Sequence, residues 1–384
     1  MDLLDKRRLL APGPVPVPPK ALLAMAQPTM HHRSPQFSEI LSDVREGLKF
    51  LYQTEDPVLI FASSGTGAME ASVANLLNPG DEAICVVGGK FGERWVEICQ
   101  AFGVRAVPIE VEWGRAVEPE QVEATLKRHP LARAVFVQAH ETSTGVKHPV
   151  KELADLVRER ETLLVVDAIS ALGVYDLPVG AWGLDVVVAG SQKGFALPPG
   201  LSFVSLSSRA REAMEKATLP RYYFDFRREL KAYARSTTAY TPAVSLILGL
   251  KSVLDRLRQV GLERLFAHHR CLSEATKKAM EALGLELFSQ APCETVTVVR
   301  VPEGVDGLEL VKRLREKYGL TIAGGQAQLK GRIFRIAHMG YQNHFDVILA
   351  VAGVEMVLSE LGYKVELGRG VAAAQEYFLK EGIS

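Results

Sequence analysis

The segment Asp185–Gly200 reads DVVVAGSQKGFALPPG and carries an apolar β-branched run into one lysine, Lys193. Val186, Val187 and Val188 have the continuous apolar character of a strand buried on both faces, and Gly190 permits a tight turn straight after it. Lys193 therefore falls where water is scarce. An ammonium is costly to bury, so a lysine's pKa drops there and its neutral amine becomes a nucleophile able to form a Schiff base. Alone, the ordinary reading is a solvated lysine in a strand-to-loop turn; partners elsewhere in the chain have to overturn it.

The pattern around this run, regular from Pro57, alternates apolar strand runs with amphipathic helix runs. It predicts an α/β fold with a mostly parallel sheet of seven strands: 58–62, 83–87, 106–111, 134–138, 163–166, 186–189 and 201–206. Helices are expected between them at 67–77, 92–102, 119–128, 150–160 and 208–217. Functional residues in such sheets collect at the carboxyl ends of the strands.

Four strand ends carry chemistry. Phe61–Met69, FASSGTGAM, opens a helix with glycines and with the hydroxyls of Ser64 and Thr66. It suits a phosphate held on backbone N–H groups, although helix capping explains it equally well. Its glycine spacing is neither the dinucleotide fingerprint nor the nucleotide-triphosphate loop. Gly88–Gly92, GGKFG, sets Phe91 between glycines, as a ring to stack on a flat ligand or as a hydrophobic staple. Gln138–Gly145, QAHETSTG, is a polar burst that reads as a ligand loop or a capped turn. Asp167 closes the run 163–166, and a carboxylate there needs a cationic partner. It precedes Lys193 by 26 residues (193 − 167), enough for one crossover to a neighbouring strand.

Composition narrows the function classes. Across 384 residues, 47% hydrophobic and 23% charged content fits a globular chain with two cores. Lys plus Arg and Asp plus Glu are 45 each, so no nucleic-acid or membrane partner is expected. Cys85, Cys99, Cys271 and Cys293 lack metal-site spacing and read as buried reduced thiols, with no metal. Met1–Arg8 has no signal-peptide core and no run is long enough to span a bilayer, so the cytoplasm is the expected location. Leu9–Lys20, rich in proline, is expected to run as an extended arm. Met30–Phe37, MHHRSPQF, is an irregular piece with a cationic His31-His32-Arg33 turn. Beyond Pro242, helices are expected at 244–260, 263–283, 308–317, 345–361 and 371–379, with strands at 296–301 and 332–336.

A phosphate cradle, a stacking aromatic, a strand-end aspartate and a strand-end lysine, in that order, are what pyridoxal phosphate requires. On this set the sequence resembles the class V aminotransferases of fold type I, in the alanine–glyoxylate and serine–glyoxylate group. The likeness covers nearly the whole chain: APGP, SSGTGAME, the NPGD at 78–81, HETSTGV, VVDAIS, GSQKG with PPGLSFVS, and FRIAHMG. It implies pyridoxal 5'-phosphate as cofactor, Lys193 as the lysine that carries it and Asp167 as the partner of its ring nitrogen. It places Thr66, Gly67 and Gln192 on the phosphate side, Phe91 against the ring and Thr142 near the ring oxygen. Tyr240 and Thr241, in STTAYTP, would complete the phosphate site of the other subunit in a homodimer with shared active sites. Arg335 would bind the substrate carboxylate. His32-Arg33-Ser34 resembles a segment of phosphoserine aminotransferases that meets a substrate phosphate, so His32 and Arg33 are candidates for a second anion.

The resemblance implies an N-terminal arm (1–18), a large cofactor domain (19–254) and a small C-terminal α/β domain (255–384). It also implies ping-pong transamination from serine or alanine to glyoxylate, pyruvate or 2-oxoglutarate, with phosphoserine or aspartate as the alternative donor. A cysteine desulfurase needs a nucleophilic cysteine that Thr321–Arg335 lacks. A non-catalytic hydrogenase subunit finds no cluster-binding cysteine pattern here.

Overall fold

The computed structural model describes residues 6–381; the first five residues of the expected arm and the last three of the expected small domain lie outside them. Seven strands form the central sheet: β1 (Val58–Phe61), β2 (Glu82–Val87), β3 (Arg105–Glu110), β4 (Ala134–Gln138), β5 (Leu163–Asp167), β6 (Val186–Gly190) and β7 (Ser202–Leu206). Their spatial order is β1-β7-β6-β5-β4-β2-β3. Only β7 runs antiparallel, against β6 and β1; the other neighbours are parallel.

The period-two rule explains why these runs read as continuous apolar stretches. Val135, Val137, Leu164, Val166 and Val187 enter the core on one face, whereas Phe136, Val165, Val186 and Val188 enter the core on the other. Both faces are dry, so no polar alternation survives in the sequence.

A second, three-stranded antiparallel sheet is built from β8 (Val296–Arg300), β9 (Ala323–Gly324) and β10 (Ile333–Ala337), in the order β8-β10-β9. Helices Leu262–Ala282, His344–Glu360 and Arg369–Glu381 share its core. The arm ties the two sheets together. Arg8–Leu9 pairs in parallel with Leu320–Thr321, Ala337 N donates to Leu10 O at 2.8 Å, and Tyr341 N donates to Pro16 O at 3.0 Å. Between these anchors the carbonyl of Pro12 accepts a hydrogen bond from Lys193 Nζ.

Three expectations are corrected. The extended arm ends at Pro18, because Pro19 opens the helix Pro19–Met25, where a missing N–H costs nothing. The irregular piece at 30–37 ends at Ser34, whose hydroxyl caps the helix Pro35–Tyr52 by accepting from Phe37 N at 3.3 Å. Cys85, Cys99 and Cys293 are buried, but Cys271 is half-exposed on the helix Leu262–Ala282. The sequence reading also missed the helix Phe226–Tyr233, which Asp225 caps.

Candidate active site

Asp167 ends β5 beside Gln138 of β4 and Val188 of β6, and its carboxylate is 5% exposed. One oxygen accepts from Ile169 N at 2.8 Å. That bond and the positive charges of Arg94 and Lys193 favour the anion, but burial outweighs them and pushes the carboxyl up to about 7. Three residues past β6, Lys193 sits in the same field. Burial brings its ammonium down to about 8; Arg335 and Arg94 push the same way and Asp167 opposes them. An amine in this range is ready to lose its proton near neutrality. The opening run thus delivers its lysine to a dry site shared with an aspartate and two arginines.

The polar burst 138–145 is buried throughout. Glu141 explains much of it. Its carboxylate accepts from Phe91 N at 3.0 Å and Gly92 N at 2.9 Å, capping the helix Lys90–Ala101 from fifty residues away, and from Ser143 N at 3.1 Å. The cap fixes the turn that carries Phe91. The Phe91 ring is covered by the Arg94 guanidinium, 4.9 Å from its centroid, and Arg94 Nη1 also donates to Thr66 Oγ1 at 3.2 Å. Arg94 therefore joins the Phe91 position to the SSGTG loop. The sequence reading missed Glu141 and Arg94, although Arg94 lies three residues past Phe91 and so shares its helix face.

Ser64 occupies the N-cap of the helix Gly65–Leu76 but makes no side-chain cap, so the capping explanation of this loop does not hold for it. Ser63 turns instead to Ser202 Oγ at 2.7 Å. Gly65 and Gly67 leave no room for larger residues: a Cβ would come within 2.5 Å of the Ile169 or Ser63 side chain. Gln192 Oε1 is buried without a hydrogen-bond partner among the described residues.

Arg335 lies on β10, 5% exposed, and crosses to the large sheet. Its Nη1 donates to Thr142 O at 2.9 Å, while Nη2 and Nε donate to Gly324 O at 2.8 and 3.1 Å. Burial lowers its pKa to about 10. Thr142 Oγ1 contacts Ser170 Oγ at 2.7 Å. Two expected groups stand apart from this cluster. Arg33 Nη1 donates to Thr238 O at 2.9 Å and to Thr237 Oγ1, and partial burial together with the Arg33 charge lowers the His32 pKa. The Tyr240 hydroxyl donates to Tyr222 O at 2.9 Å, its ring stacks on Tyr223 at 5.1 Å, and Thr241 is exposed.

A family model for "Aminotransferase class-V" matches residues 20–340. The chain belongs to the class V aminotransferases. It is 42% identical over 375 residues to a "Soluble hydrogenase, small subunit" of Synechococcus sp., covering 96% of this chain and 98% of that one. It is 38% identical to an "L-aspartate--glyoxylate aminotransferase" of Paracoccus denitrificans, covering 98% and 97%. Ureidoglycine–glyoxylate aminotransferase of Bacillus subtilis superposes with a TM-score of 0.93 at 29% identity, covering 97% and 98%.

This class V aminotransferase uses pyridoxal phosphate, and its own groups fit that cofactor. The uncapped helix start at Ser64 offers N–H donors to an anion. The Asp167 carboxyl, raised by burial, needs a cation that a protonated ring nitrogen supplies. Among the described residues no helix is long and apolar enough to cross a membrane.

Proposed function

We propose that the chain is a transaminase that moves an amino group from a small amino acid, serine or alanine, to a keto acid by a ping-pong mechanism. The relatives named for glyoxylate support glyoxylate as acceptor, with pyruvate and 2-oxoglutarate as further candidates. The observation that carries the reading is the placement of Lys193 and Asp167 on adjacent strand ends in one buried field.

The bound cofactor supplies the carbonyl that receives the amino group and a ring that withdraws electrons from the substrate Cα. Lys193 Nζ, with its pKa near 8, takes and returns the Cα proton. Asp167 would hold a positive charge at the ring nitrogen, Thr142 would meet the ring oxygen, and Gln192 would lie on the phosphate side. Ser64, Thr66 and Gly67 would hold its phosphate at the helix start, and Phe91, its backbone N–H held by Glu141 and its ring met by Arg94, would stack on the cofactor ring. Arg335 exchanges backbone carbonyls for the substrate carboxylate, for which its planar fork is suited. We assign residues 19–254 to the cofactor domain, 255–384 to the small domain and 1–18 to an arm across both. Tyr240 and Thr241 would serve the partner's phosphate in a homodimer.

A second reading is transamination of an acidic donor, aspartate or phosphoserine. It is favoured by Arg33, held against the same 237–238 backbone that would reach the partner's site, and by the relative named for aspartate. The test is a donor panel of serine, alanine, aspartate and phosphoserine against glyoxylate, pyruvate and 2-oxoglutarate. Parallel double-reciprocal lines with serine or alanine support the proposal. A selective loss of acidic donors in Arg33→Ala supports the second reading. Cofactor bound with no donor turned over would reject both.

A further inference from the structure

Behind Thr142 runs a line of buried polar side chains that the proposed chemistry leaves unexplained. Thr142 Oγ1 lies 2.7 Å from Ser170 Oγ, and Ser170 Oγ lies 2.9 Å from His140 Nδ1. Thr295 Oγ1 is 2.9 Å from either nitrogen of the His140 ring, and Cys293 Sγ is 3.0 Å from Thr295 Oγ1. All five residues are at most 4% exposed. The line starts just ahead of β8 in the second sheet and ends at a hydroxyl on the carboxyl edge of the first.

Proton counting gives the line a direction. The Cys293 thiol, pushed up to about 11 by burial, keeps its proton, and its 3.0 Å contact with Thr295 Oγ1 heads the line when the thiol is the donor. His140 is neutral, because burial first, and then the positive charges of Lys193, Arg335 and Lys147, hold its pKa well below the ordinary value. A neutral imidazole carries one N–H, so its two nitrogens play opposite roles. If Thr295 donates to Nε2, the ring proton sits on Nδ1 and donates to Ser170, which then donates to Thr142. Thr142 then accepts from Ser170 and keeps its own proton to donate elsewhere. The competing bond from Ser170 Oγ to His140 O is longer, at 3.3 Å.

We propose that Cys293, Thr295, His140 and Ser170 form an ordered donor cascade that fixes the Thr142 hydroxyl as a hydrogen-bond donor toward the cofactor's ring oxygen. Thr295, His140 and Ser170 are positioning residues in it. The cascade also makes the ring-oxygen contact of the first sheet depend on a threonine next to the second. It rests on the assignment of Thr142 to the ring oxygen.

The experiment combines two readouts on the protein with and without pyridoxal phosphate. Nitrogen-15 NMR of labelled histidine, with His140 identified by its loss in His140→Gln, reports which ring nitrogen is protonated. The pH titration of the cofactor's visible absorption reports the donor at the ring oxygen. We expect wild type to carry the Nδ1 proton, Thr295→Val to lose that preference, and Thr295→Ser to restore it. A donor stabilises an oxygen anion, so Thr295→Val and Ser170→Ala should move the midpoint of the visible titration upward. The expected shift is about one pH unit, the equivalent of one hydrogen bond to a charged acceptor. An Nε2-protonated His140 in wild type overturns the cascade. So does an unchanged midpoint in both variants with cofactor bound. If wild type takes up no cofactor, the function proposed above fails while the tautomer still decides the cascade. If Thr295→Val does not fold, Thr295→Ser and Ser170→Ala carry the test.

Discussion

The edge of the first sheet around Lys193 and the surface around Tyr240 are both rich in polar and aromatic groups, and they are solved in opposite ways. At Lys193 the charges are buried and perturbed: an amine near 8, a carboxyl near 7, a guanidinium near 10. At Tyr240 the groups face outward, with Tyr222 67% and Tyr223 41% exposed and Arg33 held on threonines at the surface. A buried site carries its purpose in the strain of its own charges. An exposed aromatic cluster gains its purpose only from what covers it.

The largest effect that would sharpen this contrast is at the buried site. With Asp167 as the proposed charge partner of the ring nitrogen, Asp167→Ala should lower turnover by at least about a hundredfold; stopped-flow half-reactions check this. Next is Arg335→Lys, which keeps the charge but not the fork. KM for the amino donor should rise roughly tenfold to a hundredfold, the cost of a charged hydrogen bond, with a smaller change in kcat. At the exposed region the expectation is about sharing. Tyr240→Ala should weaken cofactor binding, and mixed dimers formed with Lys193→Ala should regain activity if the cluster serves the partner's site. No recovery in mixed dimers would break the contrast.

Two smaller effects concern stability and space. The Asp167 carboxyl moves from an ordinary 3.8 up to about 7, so the folded cofactor-free chain holds a proton that the unfolded chain has lost across that window. Its contribution to stability is present below 3.8 and is lost as pH rises through 7. Asp167→Asn should therefore gain Tm relative to wild type on going from pH 5 to pH 8, as calorimetry of the cofactor-free protein would show. At Gly13, where φ is +118°, a Cβ would approach Lys193 Nζ to 2.5 Å. Gly13→Ala should reduce cofactor affinity and also lower Tm, because alanine is strained at that φ, by equilibrium titration and thermal melting.

The strands were legible because both faces of the sheet are dry: the run at 134–138 matches β4 residue for residue, and the others miss by a residue or so at their ends. Lys193 and Asp167 were legible as strand ends. Glu141 was not, because its partners Phe91 and Gly92 lie fifty residues back and only the folded sheet brings them together. Arg94 and the His140 line were hidden for the same reason, each acting through contacts between distant loops. The helix Phe226–Tyr233 escaped because its FRRELKAY sequence is short and has few apolar positions.

The most direct measurement is the covalent address of the cofactor. The protein is loaded with pyridoxal phosphate, reduced with borohydride and digested, and the labelled peptide is sequenced by mass spectrometry. The account requires a visible absorption band before reduction, a single label on Lys193 after it, and neither in Lys193→Ala. A label on another lysine, or a Lys193→Ala protein that keeps the band, would contradict it.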